Sequence, residues 1–349
     1  MSKANPGNYF EDFHSGQVLR HATPRTLTTG DAALYLALTG SRFVLNCADP
    51  FARQCGLLHA PLDDWLVFHI VFGKSVPDVS VNALANLGYA EGRFGVPVFP
   101  GDTLSARSTV IGLRENSNRQ TGIVAVRTIG VNQRQEMVLD YQRQVMVKKK
   151  DPASPPPQPG LPEQAPFVPA DQLQVPTGMS FAAFDGALSG SHYFWQDYQA
   201  GERIDHVDGM TIEESDHMLA AKLYQNNAKV HFNQHSEGQG RFGRRLIYGG
   251  HIISLTRALS WNGLGNAVKL AALNSGRHLA PTFAGDTIYA WSRIAASWEL
   301  PDRRDLGALR IQSFACKNHP CTDFPGGDGE PHPQLVLEID YTVLMPRRL

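Results

Sequence analysis

The sequence is poor in cysteine, in net charge and in long apolar runs, and each shortage excludes a class of protein. Four cysteines among 349 residues are too few for a disulfide scaffold, so we expect a reducing compartment, the cytoplasm. The formal net charge is -1, which provides no basic face for nucleic acid and no basic tract for an anionic membrane. No run of about 18 apolar residues is present to form a transmembrane helix, and residues 1–13 lack the apolar core of a signal peptide.

Several catalytic and binding motifs are missing as well. The glycine spacing over residues 238–243 matches a dinucleotide-binding fingerprint but follows no strand of a βαβ unit. No serine-centred nucleophile elbow occurs. Cys316 and Cys321, with His319 between them and His332 beyond, lack the matching second pair of ligands that structural zinc sites have. We therefore expect neither a nucleotide cofactor nor a metal ion.

What the sequence does contain is an internal repeat. The block NYFEDF at residues 8–13 recurs as HYFWQD at 192–197, and the block that begins at Arg93 and ends in GDTL recurs from Arg277 and ends in GDTI. Both pairs of blocks are 184 residues apart. Agreement of separate blocks at one offset predicts a tandem duplication.

A proline-rich segment separates the two copies. Residues 151–176 contain nine prolines, which lack the amide donor that a helix interior or a central strand requires. An extended linker is the physical interpretation. We predict an N-terminal domain over residues 1–150, a linker over 151–180 that crosses the surface, and a C-terminal domain over 181–349.

Each copy has the same coarse pattern of helices followed by strands rich in β-branched residues. Thr211 and Glu214 have the spacing of a helix-capping box. One helix wrapped by antiparallel strands is an α+β arrangement. The predicted helices are Asp31–Leu38, Leu62–Phe72, Glu213–Tyr224 and His251–Leu259, and the predicted strands are Ile123–Val131, Met137–Val147, Leu309–Phe314 and Leu335–Leu344.

The most unusual segment, residues 223–251, concentrates amide, histidine and arginine side chains between two helices. Such a loop is either a solvated polar surface or a place where functional groups gather. Asn226 precedes His231 by five residues, and Gly249 follows that histidine by eighteen at the start of an apolar helix. This order resembles the MaoC-like hot-dog hydratases, in which an aspartate, a histidine and a glycine amide have these spacings.

A closer resemblance is to the double-hot-dog 2-methylfumaryl-CoA (mesaconyl-C1-CoA) hydratases, also called β-methylmalyl-CoA dehydratases. The stretches that carry it are FHIVFGK at 68–74, AKVHFNQ at 228–234 and GRFGRRLIYGGH at 240–251. The resemblance runs over essentially the whole chain. It implies a tandem (double) hot-dog fold and reversible hydration to (2R,3S)-β-methylmalyl-CoA. It also implies no metal or redox cofactor, with coenzyme A present only as part of the substrate.

Hydration of an enoyl thioester needs a base for the attacking water and a donor for the enolate oxygen. His231 suits the first role and the backbone N–H of Gly249 the second. Asn226 stands where the wider family has an aspartate. An amide orients water but cannot accept its proton, so we expect Asn226 to position water and His231 alone to shuttle the proton. Candidates for a missing partner of the histidine are Asp216, His235 and Glu237.

The implied substrate also carries a free carboxylate, for which Arg244 or Arg245 offers a guanidinium fork. An equally weighted alternative is that these arginines neutralise a surface or contact CoA phosphates. The full set of substrate-binding candidates is Arg42, Arg244, Arg245, Tyr248 and Arg277.

The first copy has no histidine in the corresponding loop, residues 39–51, so we expect it to be non-catalytic and to shape the acyl pocket. Arg42 and Asp63 are its notable polar residues, with structural salt bridges expected for each. His69 and His251 lie on apolar helices and are expected to be core histidines.

Two other functions fit parts of the pattern. One is an (R)-specific enoyl-CoA hydratase of fatty acyl or polyketide chains, and the other is a non-catalytic acyl-CoA-binding protein. The two halves are able to pair within one chain, and a further homodimer is compatible with that pairing.

Overall fold

The protein, described by a computed structural model over residues 3–326 and 332–349, is built on one antiparallel sheet of ten strands. Their order across the sheet is β1-β3-β4-β5-β2-β7-β10-β9-β8-β6. The strands are β1 (Val18–Thr26), β2 (Ala83–Phe94), β3 (Thr103–Glu115), β4 (Thr121–Val131), β5 (Met137–Lys148), β6 (Arg203–Thr211), β7 (Lys269–His278), β8 (Thr287–Leu300), β9 (Arg303–Lys317) and β10 (Leu335–Pro346).

The sheet consists of two halves with the same internal order. From its outer edge inward, the first half has the order β1-β3-β4-β5-β2 and the second half the equivalent order β6-β8-β9-β10-β7. The halves meet where β2 pairs with β7. In that junction Tyr89 is opposite Gly276 and Arg93 is opposite Ala272. The repeated topology confirms the predicted duplication, and helices packed on an antiparallel sheet confirm the α+β class.

The four helices of the first half have counterparts at corresponding places in the second half. None of the helices within the described residues is long and apolar enough to cross a membrane. The helices are α1 (Thr29–Thr39), α2 (Val44–Cys47), α3 (Asp49–Gln54), α4 (Asp64–Ser75), α5 (Gly186–Ser189), α6 (Glu214–Leu223), α7 (Lys229–Phe232), α8 (Gln234–Glu237), α9 (Gly249–Leu259) and α10 (Trp261–Leu264).

The helices α4 and α9 are the central helices of the two halves. All residues of α4 after Asp64, and all residues of α9 after Gly249, are buried. Their apolar side chains share one core with the inner face of the sheet, for example Phe68 and Ile253 with Leu273. Burial on every side explains why neither helix has an alternating polar face in the sequence.

The predicted capping box at Thr211 is wrong. Thr211 ends strand β6, where its hydroxyl lies 2.7 Å from the Thr287 hydroxyl, and the residue that caps α6 is Glu213. The first half has a real capping box, in which Thr28 and Asp31 bond each other's backbone at the start of α1. The spacing alone did not distinguish a strand end from a helix cap.

The proline-rich segment follows the outer face of the sheet. Gly160 exchanges backbone hydrogen bonds with Leu113 on β3, and the amide of Val168 donates to the Asn274 side chain at 2.9 Å. Next to Val168, the ring of Phe167 stacks on Trp298, with ring centroids 5.9 Å apart. The linker is therefore tied to both halves along its length.

Candidate active site

The N-terminus of helix α9 is the geometric centre of the site. Gly249 is its first residue and Gly250 its second, so both N–H groups lie where no intrahelical acceptor exists. A methyl group added at Gly249 would lie 2.5 Å from Cε1 of His278. Only glycine fits between the helix end and this ring, which keeps the backbone amide accessible to a small group.

His231 lies on the short helix α7 in front of this helix end. Its Nδ1 lies 2.9 Å from the carbonyl oxygen of Leu246. A carbonyl oxygen only accepts hydrogen bonds, so Nδ1 carries the proton and donates it. The neutral ring therefore presents Nε2 as an unprotonated acceptor. Burial lowers the pKa of His231 to about 4, and the bond to Leu246 offsets part of that effect. At neutral pH the ring is a free base.

A second histidine fixes the turn that leads into α9. The N–H of Tyr248 donates to Nε2 of His217 at 2.9 Å. The rings of His217 and His231 lie 6.0 Å apart, and that of Tyr248 lies 5.5 Å from His231. Burial lowers the pKa of His217 to about 3, so it stays a neutral acceptor. This role could not be predicted from the sequence, since His217 falls inside a predicted helix.

His278 and Tyr89 complete the surroundings of Gly249, and sequence reasoning missed both. The Tyr89 hydroxyl lies 3.2 Å from His278 Nε2, across the junction of the two halves. Burial, and then the proximity of His231, lower the pKa of His278 to about 4. His278 directly follows Arg277 in the repeated block, where the first copy has Phe94; that difference between copies was the available signal.

Asn226 lies in the turn after α6 and is buried. Its Oδ1 accepts from the Ala228 amide at 3.2 Å. The candidate partners of His231 lie elsewhere: Asp216 accepts from the Ser215 hydroxyl, and Glu237 from Ser236, each next in sequence, while His235 is exposed. The group that orients His231 is the backbone of Leu246.

The two arginines expected to clamp a carboxylate differ in their surroundings. Arg245 forms an ion pair with Glu214 and also donates to the Phe232 carbonyl at 3.3 Å. Arg244 is exposed, with its guanidinium 3.9 Å from the centre of the Phe283 ring. Arg245 thus already has a carboxylate partner.

The remaining substrate-binding candidates are dispersed. Arg42 is exposed and lies over the Trp261 ring, with its Cζ 5.4 Å from the ring centroid. Arg277 forms an ion pair with Glu338 on the outer face, at a groove of about 310 Å³. Tyr248 is buried behind the start of α9, and its hydroxyl lies 3.5 Å from Nδ1 of His69.

The salt bridges expected for Arg42 and Asp63 are wrong. Neither side chain forms an ion pair with another residue of the described segments. Asp63 instead caps α4, since its carboxylate accepts from the Trp65 amide at 2.8 Å. The two expected core histidines are confirmed as buried, and His69 bonds the Ser254 hydroxyl at 2.9 Å.

The first half has a counterpart of the site, 185 residues earlier. Asn46 donates through Nδ2 to the Pro61 carbonyl at 3.0 Å, as His231 donates to Leu246. Asp64, the first residue of α4, takes the place of Gly249. Its carboxylate accepts from the Leu270 amide at 2.9 Å and pairs with Lys269. In this half an asparagine stands at the position of His231, and an aspartate stands at the position of Gly249.

No group of three or more histidine, cysteine or acidic side chains within residues 3–326 and 332–349 is arranged to hold a metal ion. Of the cysteine and histidine pattern considered for zinc, Cys316 and Cys321 are buried as free thiols. His319 and His332 stack on each other, with ring centroids 5.0 Å apart.

Known proteins are similar to this chain in both sequence and architecture. The family model described as mesaconyl-CoA hydratase matches residues 2–326. A beta-methylmalyl-CoA dehydratase of Chloroflexus aurantiacus is 60% identical over 349 residues, covering 99% of this chain and 99% of its own. The crystal structure of a putative MaoC domain protein dehydratase from the same organism has a TM-score of 0.97 at 58% identity and covers 100% of both chains.

A conserved hypothetical protein from Mycobacterium tuberculosis with a double hot-dog fold matches 98% of this chain and 99% of its own. Its TM-score is 0.73 at 27% identity. Together with the Chloroflexus structure, it confirms the tandem hot-dog fold expected from the sequence.

Proposed function

Because the chain belongs to the mesaconyl-CoA hydratase family, we propose that it is a hydro-lyase that reversibly adds water to 2-methylfumaryl-CoA (mesaconyl-C1-CoA). The product is β-methylmalyl-CoA, in the (2R,3S) form that the family resemblance implies. The observation that carries the proposal is the neutral ring of His231 held beside the free amides at the start of α9.

In the proposed reaction, Nε2 of His231 takes a proton from water as the water oxygen bonds to Cβ. Electrons of the double bond move to the thioester oxygen, which accepts hydrogen bonds from the Gly249 N–H and the positive end of the helix. The protonated histidine then delivers its proton to Cα, which restores the thioester. Water ends as a hydroxyl on Cβ and a hydrogen on Cα, and the ring returns to its starting state.

Asn226 has the role of holding the water in this scheme. Its Oδ1 is fixed by the Ala228 amide, so the side-chain amide has a set orientation. A carboxamide does not accept a proton at neutral pH, and the single base is therefore His231. The two proton transfers to and from one ring place the hydroxyl and the new hydrogen on the same face of the substrate.

We propose one catalytic site per chain, with the first half contributing walls to the pocket. Asn46 and Asp64 support this assignment, because an amide replaces the base and a carboxylate opposes an oxyanion. The proposed reaction transfers no electrons to an outside acceptor and requires no redox cofactor. The four cysteines within the described residues are free thiols, which is compatible with a reducing compartment such as the cytoplasm. Association of two chains into a homodimer stays a prediction.

The test is an assay that follows the loss of enoyl-thioester absorbance with mesaconyl-C1-CoA and, separately, with crotonyl-CoA. We expect turnover of the first substrate to exceed that of the second. Preference for crotonyl-CoA would identify a fatty acyl hydratase instead. Binding of both thioesters without turnover of either would identify an acyl-CoA-binding protein and overturn the proposal.

A further inference from the structure

Arg143 is a fully buried cation on a face that is otherwise apolar or aromatic. On strand β5 its side chain points inward, on the same face as those of Tyr141, Val145 and Val147. All four residues are 0% exposed. A charged side chain almost never occupies such a position unless a partner compensates its charge. The partners of Arg143 therefore decide what the residue does.

The guanidinium of Arg143 is only partly satisfied. Nη2 donates to the Ser75 hydroxyl at 2.8 Å, and Cζ lies 4.3 Å from the centre of the Phe72 ring. Nε and Nη1 are buried without a hydrogen-bond partner. Within the described segments no carboxylate lies at ion-pair distance from it. A buried cation with two free donors and no anion is costly, which indicates that an anion from outside completes it.

Two short chains of contacts connect Arg143 with the reacting groups. Tyr89 stands directly opposite it in the β2–β5 pair, and the Tyr89 hydroxyl contacts His278, the ring that packs on Gly249. On the other side Phe72 lies between Arg143 and Tyr248, with ring centroids 5.6 Å apart, and Tyr248 lies against His231. On each path two aromatic rings lie between the cation and the catalytic apparatus: Tyr89 and His278 toward Gly249, and Phe72 and Tyr248 toward His231.

The fold itself does not require a cation at this position. Arg93 is opposite Asp140 in the first half, and its counterpart in the repeat, Arg277, is opposite Glu338 in the second half. Strand β5 therefore aligns with β10 at an offset of 198 residues, and Tyr341 is the counterpart of Arg143. In the second half the Tyr341 hydroxyl bonds Ser313 at 3.0 Å, so that position is filled by a neutral, satisfied group. Arg143 is present only on the side that faces the start of α9.

We propose that Arg143 binds the free carboxylate of the 2-methylfumaryl group and thereby makes the site selective for a dicarboxylic enoyl thioester. This inference rests on the proposed function. The carboxylate is attached to the carbon that water attacks, so its negative charge repels the incoming oxygen. A guanidinium that shares two hydrogen bonds with the carboxylate removes that repulsion and fixes the orientation of the double bond.

The test compares mesaconyl-C1-CoA with 2-methylcrotonyl-CoA, which has a methyl group in place of the carboxylate. We expect Arg143→Gln to lower kcat/KM for mesaconyl-C1-CoA by about a hundredfold or more, the cost of removing one partner of a buried charge pair. For 2-methylcrotonyl-CoA we expect a change within about threefold, since that substrate has no charge to lose. Equal losses on the two substrates would show a merely structural role.

The matched control is Arg257→Gln. Arg257 is also buried, but it lies at the far end of α9, over the Phe43 ring and bonded to the Ala267 carbonyl. We expect this variant to leave the ratio of the two kcat/KM values unchanged. Arg244→Gln and Arg245→Gln test the other candidates. If either variant loses the preference for mesaconyl-C1-CoA over 2-methylcrotonyl-CoA while Arg143→Gln keeps it, the proposal is wrong.

A measurement on the wild-type protein keeps the inference testable if Arg143→Gln does not fold. Succinyl-CoA and butyryl-CoA cannot be hydrated and differ at the same end by a carboxylate. We expect succinyl-CoA to raise Tm more than butyryl-CoA at equal concentration, and equal shifts would contradict the clamp. Failure of wild-type turnover on mesaconyl-C1-CoA would instead remove the proposed function, so the two failures are distinguishable.

Discussion

The ring of His231 has one fixed nitrogen and one free nitrogen, and the chemistry depends on that asymmetry. Replacement by alanine removes the base while leaving the Gly249 amide in place. We expect His231→Ala to lower kcat by about 10²- to 10⁴-fold, the usual contribution of a general base, with a small effect on KM. Steady-state kinetics check this, with His235→Ala as the control because His235 is a nearby exposed histidine. Retention of most of the turnover by His231→Ala would make the catalytic assignment wrong.

Asn226 provides a second residue-scale prediction. Asn226→Asp restores the carboxylate of the wider family but adds a buried charge, which the proposed role of Asn226 puts near the His231 ring with its lowered pKa. A neighbouring anion favours protonated histidine, so we expect the acid limb of the kcat/KM profile to move to higher pH. A pH series on the variant and the wild type measures the shift. An unchanged profile with full activity would mean that the amide at this position is incidental.

Sequence reasoning located the loop around His231 because its polar residues interrupt two apolar helices. It did not find the residues that complete the site from other parts of the chain, namely His217, His278 and Tyr89. His217 lies inside a predicted helix and His278 at the end of β7, and Tyr89 reaches the site only because β2 pairs with β7, a contact with no local sequence pattern. Arg143 had a signal that was overlooked, since a charge in phase with Tyr141 and Val145 contradicts an apolar strand face.

At the scale of elements, the start of α9 leaves no room for a side chain at its first residue. Gly249→Ala puts a methyl group 2.5 Å from the His278 ring, and either the ring or the helix end must shift. We expect a loss of at least about tenfold in kcat because the oxyanion donor moves with it. Gly160→Ala is the control, since nothing lies within 4 Å of its added methyl group. Wild-type kinetics for Gly249→Ala would show that the amide is not used.

The caps of α1 and α6 give a stability prediction for two threonines. Thr28 bonds the Asp31 amide, whereas Thr211 touches only the Thr287 hydroxyl at a strand end. We expect Thr28→Ala to lower the free energy of unfolding by about 1 kcal/mol, and Thr211→Ala by less than about 0.5 kcal/mol. Urea denaturation of both variants checks the order. The reverse order would restore the capping box that the sequence suggested.

The four predicted helices and the four predicted strands are all present, with ends that moved by up to six residues. The strand that covers 303–317 is longer than its predicted core because Arg303 and Lys317 lie where the ladder reaches solvent. The other six strands were given no bounds from the sequence. Among them, β1 and β6 are largely exposed and so have no run of apolar residues. The edge of a sheet lacks the alternating burial that makes a strand visible in sequence.

At the scale of the molecule, buried histidines make stability depend on pH. Burial lowers the pKa of His217 to about 3 and that of four other histidines to about 4: His206, His231, His251 and His278. Between pH 6.5 and about 4 the unfolded chain binds more protons than the folded one, so the free energy of unfolding falls as pH falls. Asp63 opposes this below pH 6, since burial raises its pKa to about 6, but it is one group against five.

We expect the urea midpoint to decrease steadily from pH 7 to pH 5. His251→Leu should make that decrease shallower, because His251 is buried and its Nδ1 has no hydrogen-bond partner. His192→Leu, at an exposed histidine, should leave the slope unchanged. A midpoint that does not depend on pH in either protein would show that these rings are not held neutral by the fold.

The carboxylate of Asp64 has a consequence for how such a chain came to be. In an assembly of two identical subunits, an aspartate at the first position of the central helix would enter every active site at once and abolish activity. In a fused chain the first half carries this aspartate while the second half keeps its glycine. Because Asp64 pairs with Lys269 across the junction, replacement of Asp64 by glycine would leave a buried ammonium without its partner. On the proposed assignment of catalysis to the second half, the difference between the halves is therefore costly to reverse.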